Sequence, residues 1–297
     1  MSIRKVSRRA AIKTITLATA LAGGMKSWSA VLTDNKKRMS LNGNINHSVC
    51  RWTYGNLSLE QLCTTVKELG FAAIDLVGPK DWAVLKQHGI YSSMCNGAEI
   101  NLVDGWNEPN FHSTLIKNYT EHIGYVAKAG YQNLICFSGN RRGMDDETGL
   151  KHCVAGLQKI LPIAEKQKVT LVMELLNSKV DHHDYMCDHS AWGVELCKRL
   201  GSENFKLLYD IYHMQVDEGN VIANIRAHHP YFAHYHTAGV PGRHELNELQ
   251  ELNYPAIMKA IVATGFKGYV AQEFIPTGKT DDDRKQALKD AISVCDV

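Results

Sequence analysis

From residue 45 onward, short apolar runs alternate with longer stretches whose apolar positions recur at helical spacing. Runs of this kind are typical of parallel strands that are buried on both faces. The stretches between them carry helix signals, including a capping box that starts at Ser58, a glycine stop at Gly70, and Pro162, which kinks or starts a helix within residues 157–168. The eight runs lie at residues 45–50, 72–77, 91–95, 133–138, 170–175, 206–210, 232–237 and 269–274.

Eight strand–helix units over about 250 residues predict a single-domain (β/α)₈ TIM barrel. A doubly wound open sheet is the structural alternative. That fold normally carries a glycine-rich phosphate loop after its first strand. Residues 50–55 read Cys-Arg-Trp-Thr-Tyr-Gly and do not form such a loop, so the pattern favours the barrel.

The N-terminal segment departs from this alternation. Arg8 and Arg9 precede a short apolar stretch and a run of small residues that reaches Ala30. This order resembles a twin-arginine (Tat) export signal, and its apolar stretch is shorter than the roughly 20 residues of a membrane-spanning helix. We therefore expect Tat-dependent export to the periplasm without stable membrane insertion; the alternative is a disordered basic tail. The predicted boundaries are a signal peptide at residues 1–30, a linker at 31–42 and the barrel at 43–297.

Composition narrows the functional classes. The formal net charge is only +2 and basic residues are spread along the chain, which argues against a nucleic-acid partner. Eight cysteines occur without a C-x-x-C pair, and several lie in apolar runs, as Cys136 does. We therefore expect buried free thiols rather than disulfides. The sequence leaves the oligomeric state open.

Four of the later apolar runs end in potential metal ligands: Glu174, Asp210, His236 and Glu273. One such glutamate alone is more often part of a surface ion pair. However, the carboxyl ends of barrel strands form one face, so four consecutive strands would direct these side chains to one spot. Three carboxylates and one imidazole suit a single divalent ion, Mn²⁺, Mg²⁺ or Co²⁺ ahead of Zn²⁺. His234 lies on the same strand face as His236 but deeper, so we expect it to be a core or supporting histidine.

Around these positions the sequence resembles the xylose-isomerase-like barrel superfamily of sugar isomerases and epimerases, and within it the hydroxypyruvate isomerase family. The resemblance spans roughly residues 45–290 in layout and is sharp only in the second half. The matching motifs are Glu174-Leu-Leu-Asn177, Val-Pro-Gly-Arg-His-Glu at 240–245, Asn-Tyr-Pro at 253–255, and Glu273-Phe-Ile-Pro276.

The resemblance implies that the four strand-end residues bind the metal and that Glu174 and Glu273 also act as the acid/base pair. It places His213 and Arg243 at substrate-binding positions. The implied reaction is isomerisation of a small hydroxy-keto acid or keto-sugar through an enediolate. Asp75, at the end of the second run, has a substrate-binding or a structural role on this evidence.

Two departures leave related reactions open. The isomerases often carry glutamine where this chain has His236, whereas ketose 3-epimerases carry histidine. Residues 97–110 do not reproduce the expected isomerase loop. A ketose or 3-keto-sugar epimerase or lyase is therefore the alternative within the superfamily.

Two classes outside this chemistry are more remote. An apurinic-endonuclease-like nuclease shares the barrel and the Asp-x-x-His pattern of Asp210 and His213. Its pattern has aspartate where Gly242 stands, it needs three zinc ions, and the low net charge argues against a phosphate backbone as partner. A non-catalytic sugar-binding barrel would not need the complete set of ligands and both glutamates.

Overall fold

The computed structural model describes residues 38–297, which form a single (β/α)₈ barrel, as the sequence predicts. The parallel strands follow the order β1-β8-β7-β6-β5-β4-β3-β2, and a bridge between Cys50 and Asp75 brings the two edge strands together. The eight strands of the described range are β1 (Asn46–Val49), β2 (Ala73–Val77), β3 (Tyr91–Cys95), β4 (Asn133–Cys136), β5 (Thr170–Glu174), β6 (Phe205–Asp210), β7 (Phe232–Thr237) and β8 (Tyr269–Gln272).

Helices surround the strands and cover their outer faces. Short 3₁₀ helices lie at Trp52–Tyr54, Pro109–Phe111 and His229–Tyr231. The α-helices of the described range are α1 (Leu59–Glu68), α2 (Trp82–Gln87), α3 (His112–Ala129), α4 (Asp146–Leu157), α5 (Leu161–Gln167), α6 (Ser190–Leu200), α7 (Ile211–Asp217), α8 (Val221–His228), α9 (Tyr254–Ala263) and α10 (Asp281–Cys295).

The local helix signals act as expected. The side chain of Ser58 accepts a hydrogen bond from the backbone N–H of Gln61, and the Gln61 side chain caps Ser58 in return. Pro162 stands in the first turn of α5 and so starts a helix rather than kinking one. The prediction of one helix over 157–168 is wrong at its start, because Leu157 ends α4, residues 158–160 form a turn and α5 begins only at Leu161.

Strand β2 contains an irregularity that bears on the site. Its register against β3 shifts on both sides of Asp75. The next residue, Leu76, has a φ of 55°, in the left-handed region that a leucine rarely adopts. Such a bulge re-aims side chains and is common beside active sites. It lets Asp75 be fully buried while Leu76 lines a cavity at the barrel mouth.

The structure tests the prediction about the cysteines but not the one about the N-terminal segment. All eight cysteines are buried free thiols, which confirms the reading from composition. Among residues 38–297, no helix has both the length and the apolar character that a bilayer crossing requires. The predicted signal peptide and most of the predicted linker lie outside the described residues.

Candidate metal centre and active site

The structure brings the four predicted ligands together at the carboxyl ends of β5 to β8. Glu174, Asp210 and His236 lie within their strands, and Glu273 directly follows β8. Each offers one potential ligand atom, and these atoms all lie within 4.8 Å of one another. All four residues are buried, with at most 4% of any of them exposed.

The start of α7 orients Asp210. Its Oδ1 accepts the backbone N–H of His213 at 3.0 Å, the usual hydrogen bond of an N-capping aspartate. This bond uses the backbone of residue 213 and fixes the orientation of the Asp210 carboxylate. It also leaves Oδ2 to face the cluster, 3.9 Å from Nδ1 of His236.

His236 presents its two ring nitrogens to different partners. Nδ1 faces the carboxylates, at 2.9 Å from Oε2 of Glu273 and 3.2 Å from Oε1 of Glu174. Nε2 lies 2.8 Å from Oδ2 of Asp75. His234 occupies the deeper position expected of it, where its Nε2 is 3.0 Å from the other oxygen of Asp75.

The centre places three buried carboxylates around one imidazole ring, so negative groups outnumber positive ones among the four residues. Burial, followed by the charge of Glu273, raises the pKa of both Glu174 and Asp210. Burial would also raise the pKa of Glu273, but His236 and Arg243 outweigh it and hold that pKa well below its usual range. Burial would lower the pKa of His236, but the charge of Glu273 and the hydrogen bond with Asp75 outweigh it and raise that pKa well above its usual value. The site therefore favours positive charge.

The residues present fit a divalent ion. Oxygen-rich ligand sets with one imidazole suit Mn²⁺, Mg²⁺ or Co²⁺. In addition, Oε1 of Glu174 is buried and has no hydrogen-bond partner within the described range, because Nδ1 of His236 is aligned with Glu273 instead. A buried carboxylate oxygen without a partner is costly unless a ligand satisfies it.

Arg243, which is predicted to bind substrate, reaches the centre from the loop after β7. Its Nη2 lies 2.5 Å from Oε2 of Glu273 and 3.8 Å from Oδ2 of Asp210. The guanidinium group lies over the rings of Trp52 and Tyr212, at 5.3 and 5.6 Å from their centroids. Its Nε is buried without a hydrogen-bond partner in the described residues, so one donor remains for another molecule.

His213 is held as a neutral ring that can donate a hydrogen bond. Oδ1 of Asn177 accepts two backbone N–H groups, so its amide nitrogen is the atom that lies 2.7 Å from Nδ1 of His213. Nδ1 is therefore an acceptor and the ring proton is on Nε2. Burial, followed by the charge of Arg243, lowers the pKa of His213 well below its usual value. Its Nε2 is buried, 3.7 Å from Oδ2 of Asp210, and has no hydrogen-bond partner among the described residues.

A cavity of about 260 Å³ lies at this centre and contains residues that sequence reasoning missed. Trp52 is one of them, and its Nε1 donates to Oε1 of Glu273 at 2.8 Å. Asn177, which is not part of the cavity lining, is another missed residue, and its role is shown by its contact with His213. A larger groove of about 460 Å³ beside α10 contains none of the four clustered side chains. The cavity is lined by Trp52, Leu76, Leu102, Phe137, Glu174, Leu176, His182, Arg243 and Glu273.

A family model described as "Xylose isomerase-like TIM barrel" matches residues 63–296. The chain belongs to this family. The match covers most of the barrel, including all four clustered side chains, His213 and Arg243. Membership confirms the resemblance seen at the strand ends, whereas the activity of this particular chain is a separate question.

Two curated relatives carry isomerase names. A putative hydroxypyruvate isomerase from Homo sapiens is 33% identical over 118 residues, which cover 40% of this chain and 42% of the relative. The chain thus spans less than half the length of that relative in the match. A 2-oxo-tetronate isomerase from Pectobacterium atrosepticum is 30% identical over 230 residues, covering 72% of this chain and 86% of the relative.

Solved structures share the fold at lower identity. A family 2 AP endonuclease from Brucella melitensis superposes with a TM-score of 0.70 at 23% identity, covering 80% of this chain and 96% of that one. A D-psicose 3-epimerase from Clostridium cellulolyticum H10 also gives 0.70, at 18% identity, with 84% and 98% covered. At these identities the likeness shows the fold alone.

Proposed function

We propose that this chain is a metal-dependent aldose–ketose-type isomerase that acts on a small hydroxy-keto acid, in the manner of a hydroxypyruvate isomerase. The observation that carries the proposal is the buried cluster of Glu174, Asp210, His236 and Glu273 at a small cavity. Beside that cluster, Arg243 and His213 each have a buried donor without a partner in the described chain. The isomerase names of the relatives favour the same class.

The reaction requires removal of a proton from a carbon next to a carbonyl and its return to the neighbouring carbon. A divalent ion held by the four ligands would supply Lewis-acid stabilisation of the negative charge that develops on the substrate oxygens. Glu174 and Glu273 are the two carboxylates that can take up and return the proton. Nε2–H of His213 donates to a substrate oxygen and so favours the enediolate.

The volume and lining of the cavity support a small, negatively charged substrate. Its volume of about 260 Å³ lies below the roughly 300–1,000 Å³ of typical ligand pockets, which favours a molecule of a few carbons. Leu76, Leu102 and Phe137 form apolar parts of the cavity wall, which Glu174 and Glu273 also line. Arg243 supplies the positive charge, and a substrate carboxylate suits its planar guanidinium group.

An epimerase or lyase acting on a ketose or 3-keto-sugar is the second candidate. His236 favours it, because the resemblance places histidine at this position in ketose 3-epimerases. The same proton transfers would serve both reactions, so the identity of the substrate distinguishes them. An apurinic-endonuclease-like nuclease stays remote, because it needs ligands for three zinc ions and a surface for an anionic backbone.

A substrate screen followed by NMR tests the proposal. Purified protein is loaded with Mn²⁺ and incubated in D₂O with hydroxypyruvate, a 2-oxo-tetronate or a ketohexose, and the ion is removed by chelation before spectra are recorded. We expect conversion of an acid substrate to its aldehyde isomer, with deuterium entering at the carbon that exchanges its proton. The same incubation is run with a 3-keto-glycoside. Faster turnover of the ketohexose or the 3-keto-glycoside would favour the epimerase or lyase, and no exchange with any of the four substrates would refute both candidates.

We further propose that residues 1–30 are a Tat-type signal and that the barrel acts in the periplasm. The support is the order of charged, apolar and small residues in that segment. A fusion of residues 1–35 to a reporter tests this assignment by its Tat-dependent export.

A further inference from the structure

A chain of buried polar contacts continues from the metal centre into the barrel core. Asp75 is fully buried, and its two oxygens face His236 and His234 at 2.8 and 3.0 Å. Oγ of Ser93 donates to Oδ1 of Asp75 at 2.6 Å, and Oγ of Ser48 lies 2.6 Å from Oγ of Ser93. Asp75 is absent from the cavity lining, so it does not contact a substrate there.

The carboxylate of Asp75 can only accept hydrogen bonds while it is ionised. Its Oδ1 accepts from Oγ of Ser93 and faces Nε2 of His234, and its Oδ2 faces Nε2 of His236, which is the environment of an acceptor on both oxygens. The hydrogen between Asp75 and His236 is therefore carried by Nε2 of His236. The lone pair of a neutral ring is then on Nδ1, the nitrogen that faces Glu174 and Glu273.

Asp75 competes for this proton with the carboxylates of the metal centre. Nδ1 of His236 lies 2.9 Å from Glu273 and 3.2 Å from Glu174, so without Asp75 these two groups would attract the ring proton to Nδ1. A protonated Nδ1 cannot bind a cation. The bulge in β2 is what turns Asp75 to this position beneath His236.

We propose that Asp75 is a positioning residue that sets the tautomer of His236, so that Nδ1 is free to bind the metal ion. The inference rests on the metal site of the proposed function and adds a residue from β2 to the four ligands of β5 to β8. Carboxylate partners of this kind orient metal-binding histidines and increase their basicity. The neighbouring His234 shares Asp75 but lies outside the group of four ligands.

Titration with Mn²⁺ tests the proposal, with the free ion followed by electron paramagnetic resonance. Loss of such a partner usually lowers metal affinity about 10- to 100-fold, and we expect that loss in Asp75→Ala. Asp75→Asn keeps an oxygen that can accept from Nε2, so its affinity should lie between those of the wild type and Asp75→Ala. Ser48→Ala is the matched control, because it alters the same buried network without touching His236.

A measurement on the wild type keeps the proposal testable even if a variant fails to fold. In protein with ¹⁵N-labelled histidine and bound Mg²⁺, the signals of His236 are assigned by their loss in His236→Gln. We expect the proton on Nε2, and a proton on Nδ1 would overturn the proposal. Full Mn²⁺ affinity in Asp75→Ala, or an equal loss in Ser48→Ala, would overturn it as well.

The two proposals fail in different ways. A wild type that binds Mn²⁺ and shows the expected effect of Asp75→Ala, yet converts no substrate, would refute the isomerase and leave the role of Asp75 standing. An active wild type whose Asp75→Ala variant keeps full affinity would refute only the role of Asp75. A wild type that binds no divalent ion would overturn both.

Discussion

Replacing Arg243 by alanine should weaken catalysis selectively for substrates that carry a carboxylate. In the structure, Nη2 of Arg243 contacts Glu273, while the guanidinium lies over Trp52 and Tyr212 and Nε has no partner in the described chain. The substitution therefore removes the proposed contact with the substrate. It also leaves Glu273 with less neutralising charge, and this second effect acts on every substrate.

The size of the selective effect follows from the type of bond lost. A hydrogen bond to a charged group contributes about 1.5–3 kcal/mol. At about 1.4 kcal/mol for each factor of ten, this corresponds to a loss of roughly 10- to 150-fold in kcat/KM for the acid. The loss for a neutral ketose should be smaller, because only the change at Glu273 contributes to it.

Steady-state kinetics on hydroxypyruvate and on a neutral ketose, for the wild type and Arg243→Ala, give the required comparison. The ratio of the two losses isolates the carboxylate contact from the effect on Glu273. Arg243→Lys should lie between the two proteins, because it keeps the charge but loses the planar guanidinium. Arg226→Ala, at an exposed position on α8, is the control for loss of an arginine. Equal losses on both substrates would refute the assignment of Arg243 to a substrate carboxylate.

Four further predictions follow from the site and the chain. Glu273→Gln should lower kcat at least about 100-fold with an unchanged circular dichroism spectrum. The control is Glu203→Gln, which should match the wild type because the side chain of Glu203 is 93% exposed. Retained activity in Glu273→Gln would remove Glu273 from the acid/base pair. Elemental analysis of purified protein should find about one Mn, Mg, Co or Zn per chain, while three zincs would support the nuclease. The eight buried cysteines should react slowly with a thiol reagent at pH 8 and fully after unfolding. Burial raises the pKa of several of them, and a raised pKa leaves less of the reactive thiolate at that pH. Rapid labelling of the native protein would contradict this prediction. A fusion of residues 1–35 to a reporter should be exported in a Tat-dependent manner, and a reporter that stays in the cytoplasm would defeat the signal assignment.

The barrel and the meeting of its strand ends could be predicted from the sequence because both follow from local patterns. Strands buried on both faces appear as apolar runs, and a charged residue at the end of such a run needs a partner or an ion. Glu174, Asp210, His236 and Glu273 are therefore visible one strand at a time. Their convergence then follows from the barrel, in which all strands point the same way.

The supporting contacts could not be predicted in this way. Trp52 belongs to a short 3₁₀ helix after β1, and no periodic pattern directs its indole toward Glu273. The position of Asp75 depends on a bulge, and the alternation of side chains along a regular strand does not reveal one. The role of Asn177 depends on a contact with His213, 36 residues away and on another element.

The cavity combines apolar positions from the early strands with charged positions from the late ones. Leu76 lies in β2, Leu102 in the loop that follows β3 and Phe137 directly after β4, whereas the four clustered ligands lie at the ends of the last four strands. Substitutions at these three apolar positions would change the shape of the cavity and leave the ligand contacts in place, whereas Trp52 and Arg243 line the same cavity and also contact Glu273. Drift at the apolar positions would therefore offer an evolutionary route by which one family includes both isomerases and epimerases.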